Sequence, residues 1–335
     1  MPTRPFEGTF ALTLALAGFS LFPILSTFPP EESRQDQAIG EPVSFVNGST
    51  HLSGSLLSPA GPGPYPTFVA IQGSGGASYR DSWSPEYFPF WKDVAEFLVD
   101  RGYAVLLFDK PGVNHSTGDW RRQTFDDRAE EVLAAVRHLA DRDDIDASRI
   151  GLVGHSQGGW IAQIAGARSP DEVGFLLLLA GPAISVKRQI QDDLESGWVC
   201  RGISGMGLSV RRAGLRFALG ILDLVARVAR PGYLSRIIHF DPRHVLPEIG
   251  QPTLALFAEN DPLVLLANNQ VRLARHFGTA NGNDRLEVAT VLGADHFFRS
   301  SPLCPGSQRP REWAPGFFED LAAPEYWNWI EGDGG

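Results

Sequence analysis

The pentapeptide Gly154-His155-Ser156-Gln157-Gly158 sets a serine hydroxyl between small residues, directly after the aliphatic run "IGLV". Such a hydroxyl is a weak nucleophile until a neighbouring base takes its proton. The G-x-S-x-G spacing suits that chemistry where a strand ends and a helix begins. Its glycines then permit a sharp turn that leaves the hydroxyl exposed. A strand over "IGLVGH" and a helix over residues 158–168 supply this context, and the N–H groups opening the helix would point toward Ser156. Alone, the pentapeptide also fits a purely structural corner. Chemistry requires a base, an acid that orients it, and donors for a developing negative charge.

Chain order puts the base in a loop after the last strand, where "VLGADHFFRSS" supplies His296 with Asp295 beside it. Other histidines read differently. His155 belongs to the turn itself and reads as packing, His138 falls within a helix, His276 ends one, and His239 and His244 lie near the end of an insertion. His115 reads as a solvent-facing loop residue. An acid must fix the imidazole tautomer and stabilise its cation. The segment "LALFAENDPLV" offers Glu259 and Asp261, and Asp261 is expected because it lies past the strand, in the turn. Glu259, nearer the strand end, suits capping or solvent, and Asp295 is too close in sequence to reach the far imidazole nitrogen. For the oxyanion, Gln157 N–H follows the nucleophile, and the loop "IQGSGGASYRD" offers a second donor, Ser74 first and Gly75 next. The loop lacks the GxxxxGK[ST] pattern of a phosphate cradle.

These residues need a scaffold that brings distant loops to one edge. "VSFVNGSTHLSGSLLSP" reads as two strands around an Asn47-Gly48 turn. "TFVAIQ", "YAVLLFD", "IGLVGH", "GFLLLLAG", "PTLALFAEN" and "LEVATVL" read as further strands, most separated by helical stretches such as "TFDDRAEEVLAAVRHLADR". The strands are continuous apolar runs, so both sheet faces are covered and a mostly parallel α/β sheet is expected. Residues 183–245 break the alternation with helical pieces and no clear strand, which reads as a helical cap inserted into one domain spanning 42–332. The Leu, Ile, Val and Phe residues of that insertion either line an acyl pocket or pack onto the core.

The chain has 335 residues, 43% of them hydrophobic, and a formal net charge of −10. It can bury a sizeable core, and its acidity argues against a general affinity for nucleic acid or anionic lipid. The paired arginines Arg121-Arg122 and Arg211-Arg212 read as solvated faces. Residues 8–30 carry no charge, follow Arg4 and precede Glu31 and Glu32. Residues 1–28 therefore read as a signal peptide or an N-terminal membrane anchor, and 29–41 as a linker. The catalytic domain is then expected outside the cytoplasm, where Cys200 and Cys304, the two cysteines, could form one disulfide.

The stretches "LLSPAGPGPYPTFVAIQGSGG", "FDKPGVNHSTGDW", "IGLVGHSQGGWIA", "LLLLAGPA" and "PTLALFAENDPLV" resemble the α/β-hydrolase superfamily, and within it the bacterial dienelactone-hydrolase-like and serine-aminopeptidase-like hydrolases. The resemblance covers about residues 43–330. Asn114-His115 stands where those hydrolases usually have a Gly-Lys pair, and Gln72 where they commonly have histidine. The resemblance implies the α/β-hydrolase fold and acyl transfer from Ser156 to water, assisted by His296 and Asp261, with no metal or organic cofactor. Three functions stay open. A carboxylic-ester hydrolase acting on a small-molecule acyl substrate is the first. An amide or peptide hydrolase would need an anchor such as Asp192, Asp193 or Glu195. A non-catalytic binding protein of the same fold is the third.

Overall fold

The computed structural model describes residues 39–80, 87–229, 232–304 and 312–331. The segment expected at 1–28, and nearly all of the linker at 29–41, lie outside them. Eight strands form one sheet: β1 (Glu41–Asn47), β2 (Thr50–Leu57), β3 (Tyr65–Ile71), β4 (Ala104–Phe108), β5 (Ile145–His155), β6 (Leu176–Leu179), β7 (Thr253–Ala258) and β8 (Leu286–Val291). Their order is β1-β2-β4-β3-β5-β6-β7-β8. The β1–β2 and β2–β4 pairs are antiparallel and all the others parallel.

Successive residues of a strand point to opposite faces, and here both faces are dry. Val69 and Ile71 of β3 join one core with helices α2 (Phe125–Ala140) and α3 (Gln157–Arg168), whereas Phe68 and Ala70 join another with α1 (Tyr87–Asp100). That explains the unbroken apolar runs. Two later helices, α8 (Phe317–Leu321) and α9 (Pro324–Glu331), seal the second core with Phe317, Tyr326 and Trp327. At five and eight residues they are too short to show a helical period in sequence.

The chain leaves β3 for β4 on one side and returns to β5 on the other. Sheet order therefore reverses between β3 and β5, and a crevice opens at the carboxyl ends of these strands. The loop at residues 72–76 and Ser156 both sit there. Strand β5 begins at Ile145, earlier than "IGLVGH" suggested, because Ile145 pairs with Tyr65 through a register shift.

Between β6 and β7 lie α4 (Val186–Cys200), α5 (Gly205–Val228) and α6 (Tyr233–Ile237), and α7 (Leu266–His276) follows β7. Among the described residues no helix is long and apolar enough to cross a membrane. Cys200, ending α4, is disulfide-bonded to Cys304 beyond β8, with Cα atoms 5.3 Å apart and a sequence separation of 104. Closing so long a loop restricts the unfolded chain. A Cys200→Ser variant should therefore lose about 2–4 kcal/mol of unfolding free energy in a urea titration.

Candidate active site

Ser156 occupies the turn between β5 and α3 with φ 55° and ψ −124°, a conformation that L residues rarely adopt. Its N–H donates to Leu179 O at 2.9 Å and its carbonyl accepts from Gly159 N–H at 2.8 Å, so the strained turn is held from both sides. The flanking glycines are required by close approach. A Cβ on Gly154 would collide with the Gly158 carbonyl, and one on Gly158 with the Ile71 carbonyl. A Gly158→Ala variant must push α3 away from β3. We expect it to cost about 1–3 kcal/mol of stability, as other overpacked sites do, read as a lower denaturant midpoint.

His296 and Asp261 come from the loops after β8 and β7. His296 Nδ1 lies 2.6 Å from Asp261 Oδ2, and the two side chains are 8% and 1% exposed. The other carboxylate oxygen, Oδ1, accepts from Leu263 N–H at 2.7 Å and Val264 N–H at 2.9 Å. Those bonds shape the turn that runs from Asp261 into α7. Burial alone would lower the His296 pKa; Asp261, with help from Asp295 and Asp193, outweighs it and holds the imidazole above its ordinary value.

The rival carboxylates are engaged elsewhere. Glu259 accepts from Gly293 N–H at 2.8 Å. Asp295 accepts from the N–H groups of Phe297 and Arg299, at 2.9 and 3.0 Å, and so shapes the loop that carries His296.

His155 does more than pack. Fully buried, it donates from Nε2 to the His296 carbonyl at 2.9 Å, and the two rings stand 4.8 Å apart. Burial first, then the nearby His296, hold its pKa well below the usual imidazole range, so it stays neutral. The residue before Ser156 therefore fixes the backbone of the residue expected to be its base.

The loop holding Ser74 and Gly75 is anchored from beneath. Lys110, 1% exposed, donates from Nζ to the carbonyls of Gly73 and Gly75, the latter at 2.6 Å. In a trans peptide the N–H points opposite to the carbonyl. Tying down the Gly73 oxygen thus turns the Ser74 N–H away from Lys110. Gln72 supports the same loop, donating from Nε2 to Phe108 O at 3.1 Å. Ser78 donates to Asp109, whose pKa burial pushes up to about 6. Lys110 was legible only as part of "FDKPG", and nothing in that string reveals that its side chain turns inward.

Gln157 opens α3, and its Oε1 accepts from Tyr233 O–H on α6 at 2.7 Å. Burial raises Tyr233 to about 12, so it remains a donor. The Tyr233 ring meets Trp120 edge-on at 4.9 Å. His115 lies exposed in the loop after β4. His138 stacks on Phe45 from α2.

Helix α4 covers the His296–Asp261 pair. Gln189 Nε2 donates to Leu263 O, and Cys200 is bonded to Cys304. Residues 189, 193 and 200 are spaced by four and seven and so share one helix face. Asp193 therefore stands between two attachments to the loops that carry Asp261 and His296. Burial raises its carboxyl to about 6, while His296 pulls it down and Asp261 pushes it up. The two neighbouring acids are engaged by other partners. Asp192 is 4% exposed and bound by Arg188 and Asn268, and Glu195 is paired with Arg212. Among the described residues no group of three or more His, Cys, Asp or Glu side chains could hold a metal ion. A hollow of about 670 Å³ lined by Arg149, Gln251 and Arg285 opens near the amino ends of β6 and β7, away from Ser156.

The Hydrolase_4 family model, described as serine aminopeptidase, S33, matches residues 86–206. The chain is 25% identical over 257 residues to Esterase EstD of Thermotoga maritima, covering 72% of this chain and 58% of that protein. It therefore spans less than two thirds of that relative. It is 32% identical over 244 residues to the 2-hydroxy-6-oxononadienedioate/2-hydroxy-6-oxononatrienedioate hydrolase of a Pseudomonas species, covering 66% of this chain and 78% of the relative. Among solved structures it is similar to Est1E from Butyrivibrio proteoclasticus with ferulic acid bound, at a TM-score of 0.56 and 15% identity, over 86% of this chain and 98% of that one. That last likeness concerns the fold.

Proposed function

The chain belongs to the α/β-hydrolase superfamily, and from that premise we propose that it is a serine hydrolase that cleaves carboxylic esters of small-molecule acyl groups. The observation that carries this reading is the buried 2.6 Å contact between His296 and Asp261, at the sheet edge where Ser156 sits on a strained turn. Ser156 Oγ attacks the ester carbonyl while His296 Nε2 takes its proton. His296 then returns that proton to the leaving alkoxide, and an acyl-enzyme remains. Water, deprotonated by His296, attacks the acyl carbon; the acid leaves and Ser156 regains its proton. Asp261 holds the Nδ1–H tautomer and stabilises the imidazolium. Negative charge on the carbonyl oxygen falls to the N–H groups of Gln157 and Ser74, with Gly75 next in line. The buried Nζ of Lys110, beneath that loop, supports the assignment by orienting its peptides. The name of Esterase EstD favours ester chemistry.

Amide cleavage is the second reading, and Asp193 favours it. A carboxylate beside His296 on the covering helix could receive a cationic substrate amine, and the matched family is described as an aminopeptidase. Initial rates on p-nitrophenyl esters and aminoacyl-anilides separate the two. Faster turnover of anilides, at matched concentrations, would overturn the ester reading.

Asp193 also yields a pH prediction. A negative charge facing His296 favours the imidazolium, so the acidic limb of kcat/KM should lie above the ordinary imidazole value. In Asp193→Asn that charge is lost and the limb should move to lower pH. An unmoved limb would mean that Asp193 does not act on His296.

The proposal extends to location: export or anchoring through the N-terminal segment, with the domain outside the cytoplasm. The Cys200–Cys304 disulfide supports it, because such bonds persist mainly in oxidising compartments.

A further inference from the structure

Helix α5 carries apolar residues on two opposite sides. Leu215, Leu219 and Ala226 face inward and are buried. On the other side Met206, Val210, Phe217, Ile221, Leu224 and Val228 are 84%, 65%, 73%, 50%, 64% and 86% exposed. With 3.6 residues per turn these six fall within an arc of about 60°, along a helix about 36 Å long. Singly exposed apolar residues are ordinary, but a continuous stripe of large ones marks an interaction surface.

The charges around the stripe identify the partner. Every exposed charged residue between Val199 and Ala229 is an arginine: Arg201, Arg211, Arg216 and Arg227. The neighbouring acids are held by cations, Glu195 by Arg212, and Asp223 by Lys187 and Arg227. This patch is positive on a chain whose net charge is −10.

We infer that the outer face of α5 docks on an anionic lipid surface, with the apolar stripe at the acyl boundary and the arginines among the headgroups. An amphipathic helix with a basic margin binds such an interface through both contributions. A second copy fits less well, since pairing α5 with itself would bring like guanidinium groups together. The uncharged segment at residues 8–30 offers those arginines no counter-charge. The inference is independent of the chemistry at Ser156.

The test uses the full-length chain with its native disulfide intact and a nitroxide attached through Ala213→Cys, an exposed position on the stripe. Collision rates of the label with oxygen and with a water-soluble nickel chelate are compared in buffer, with phosphatidylcholine vesicles, and with phosphatidylcholine–phosphatidylglycerol vesicles. The oxygen-to-nickel ratio should rise severalfold with the anionic vesicles only. It should return to its buffer value at high salt and in the Phe217→Ser/Ile221→Ser variant. A ratio unchanged by anionic vesicles, or raised equally by both kinds, overturns the inference. So does shielding without vesicles, which assigns the face to a second copy if it fades on dilution and to the chain's own N-terminal segment if it does not.

Discussion

Replacing Ser156 by alanine should reduce ester turnover about a million-fold, the scale on which removing an activated serine acts. Without Oγ, His296 has no hydroxyl to deprotonate and no acyl-enzyme can form. Donors at Gln157 and Ser74 would still favour direct attack by water, so a residual rate about 10³–10⁴ above the uncatalysed reaction is expected. The variant should fold. Ser156 stabilises its turn through main-chain bonds to Leu179 and Gly159, which alanine retains. The φ of 55° already imposes its strain on serine. Normal unfolding with lost turnover is the expected pair of results, read by denaturant titration and steady-state kinetics. Retention of more than a tenth of the activity would remove Ser156 from the chemistry.

Asp261→Asn should lower kcat about 10⁴-fold through a different cause. The carboxylate accepts a proton-bearing Nδ1 at 2.6 Å. A carboxamide can turn its NH2 toward that nitrogen and make Nδ1 the acceptor. The ring proton then moves to Nε2, and the base faces Ser156 with its lone pair occupied. Size is conserved, and the carboxamide oxygen can still accept from Leu263 and Val264, so the loop should hold. Glu259→Gln provides the contrast, because Glu259 only accepts from Gly293 N–H at the edge of the turn. A large loss with Glu259→Gln and a small one with Asp261→Asn would reassign the acid.

The scaffold was legible because its burial is simple. A strand with helices on both faces must be apolar throughout, and "TFVAI", "AVLLF" and "TLALFA" say so without an alignment. The turn at Ser156 was legible because the close approaches at Gly154 and Gly158 leave room for no side chain. The juxtaposition of Asp261 with His296 followed from chain order. Side-chain direction was hidden. Lys110 reads as a surface lysine until β4 and the loop at residues 72–76 enclose it, and His155 reads as filler until the loop after β8 closes over it. Asp193 looks like its neighbours Asp192 and Glu195, and only the two attachments of α4 determine which of the three faces His296. The apolar residues of the insertion were expected either to line a pocket or to pack on the core. Helix α5 divides them instead between the core and an exposed stripe, which its composition could not reveal.

Covalent capture of the nucleophile tests the central claim most directly. The purified protein is treated with a fluorophosphonate, digested and mapped by mass spectrometry, beside Ser156→Ala. One adduct on the peptide containing Ser156, absent from the variant and much slowed in Asp261→Asn, is the expected result. No adduct on the wild-type chain, or equal labelling of Ser156→Ala, would contradict the assignment of Ser156 as an activated nucleophile.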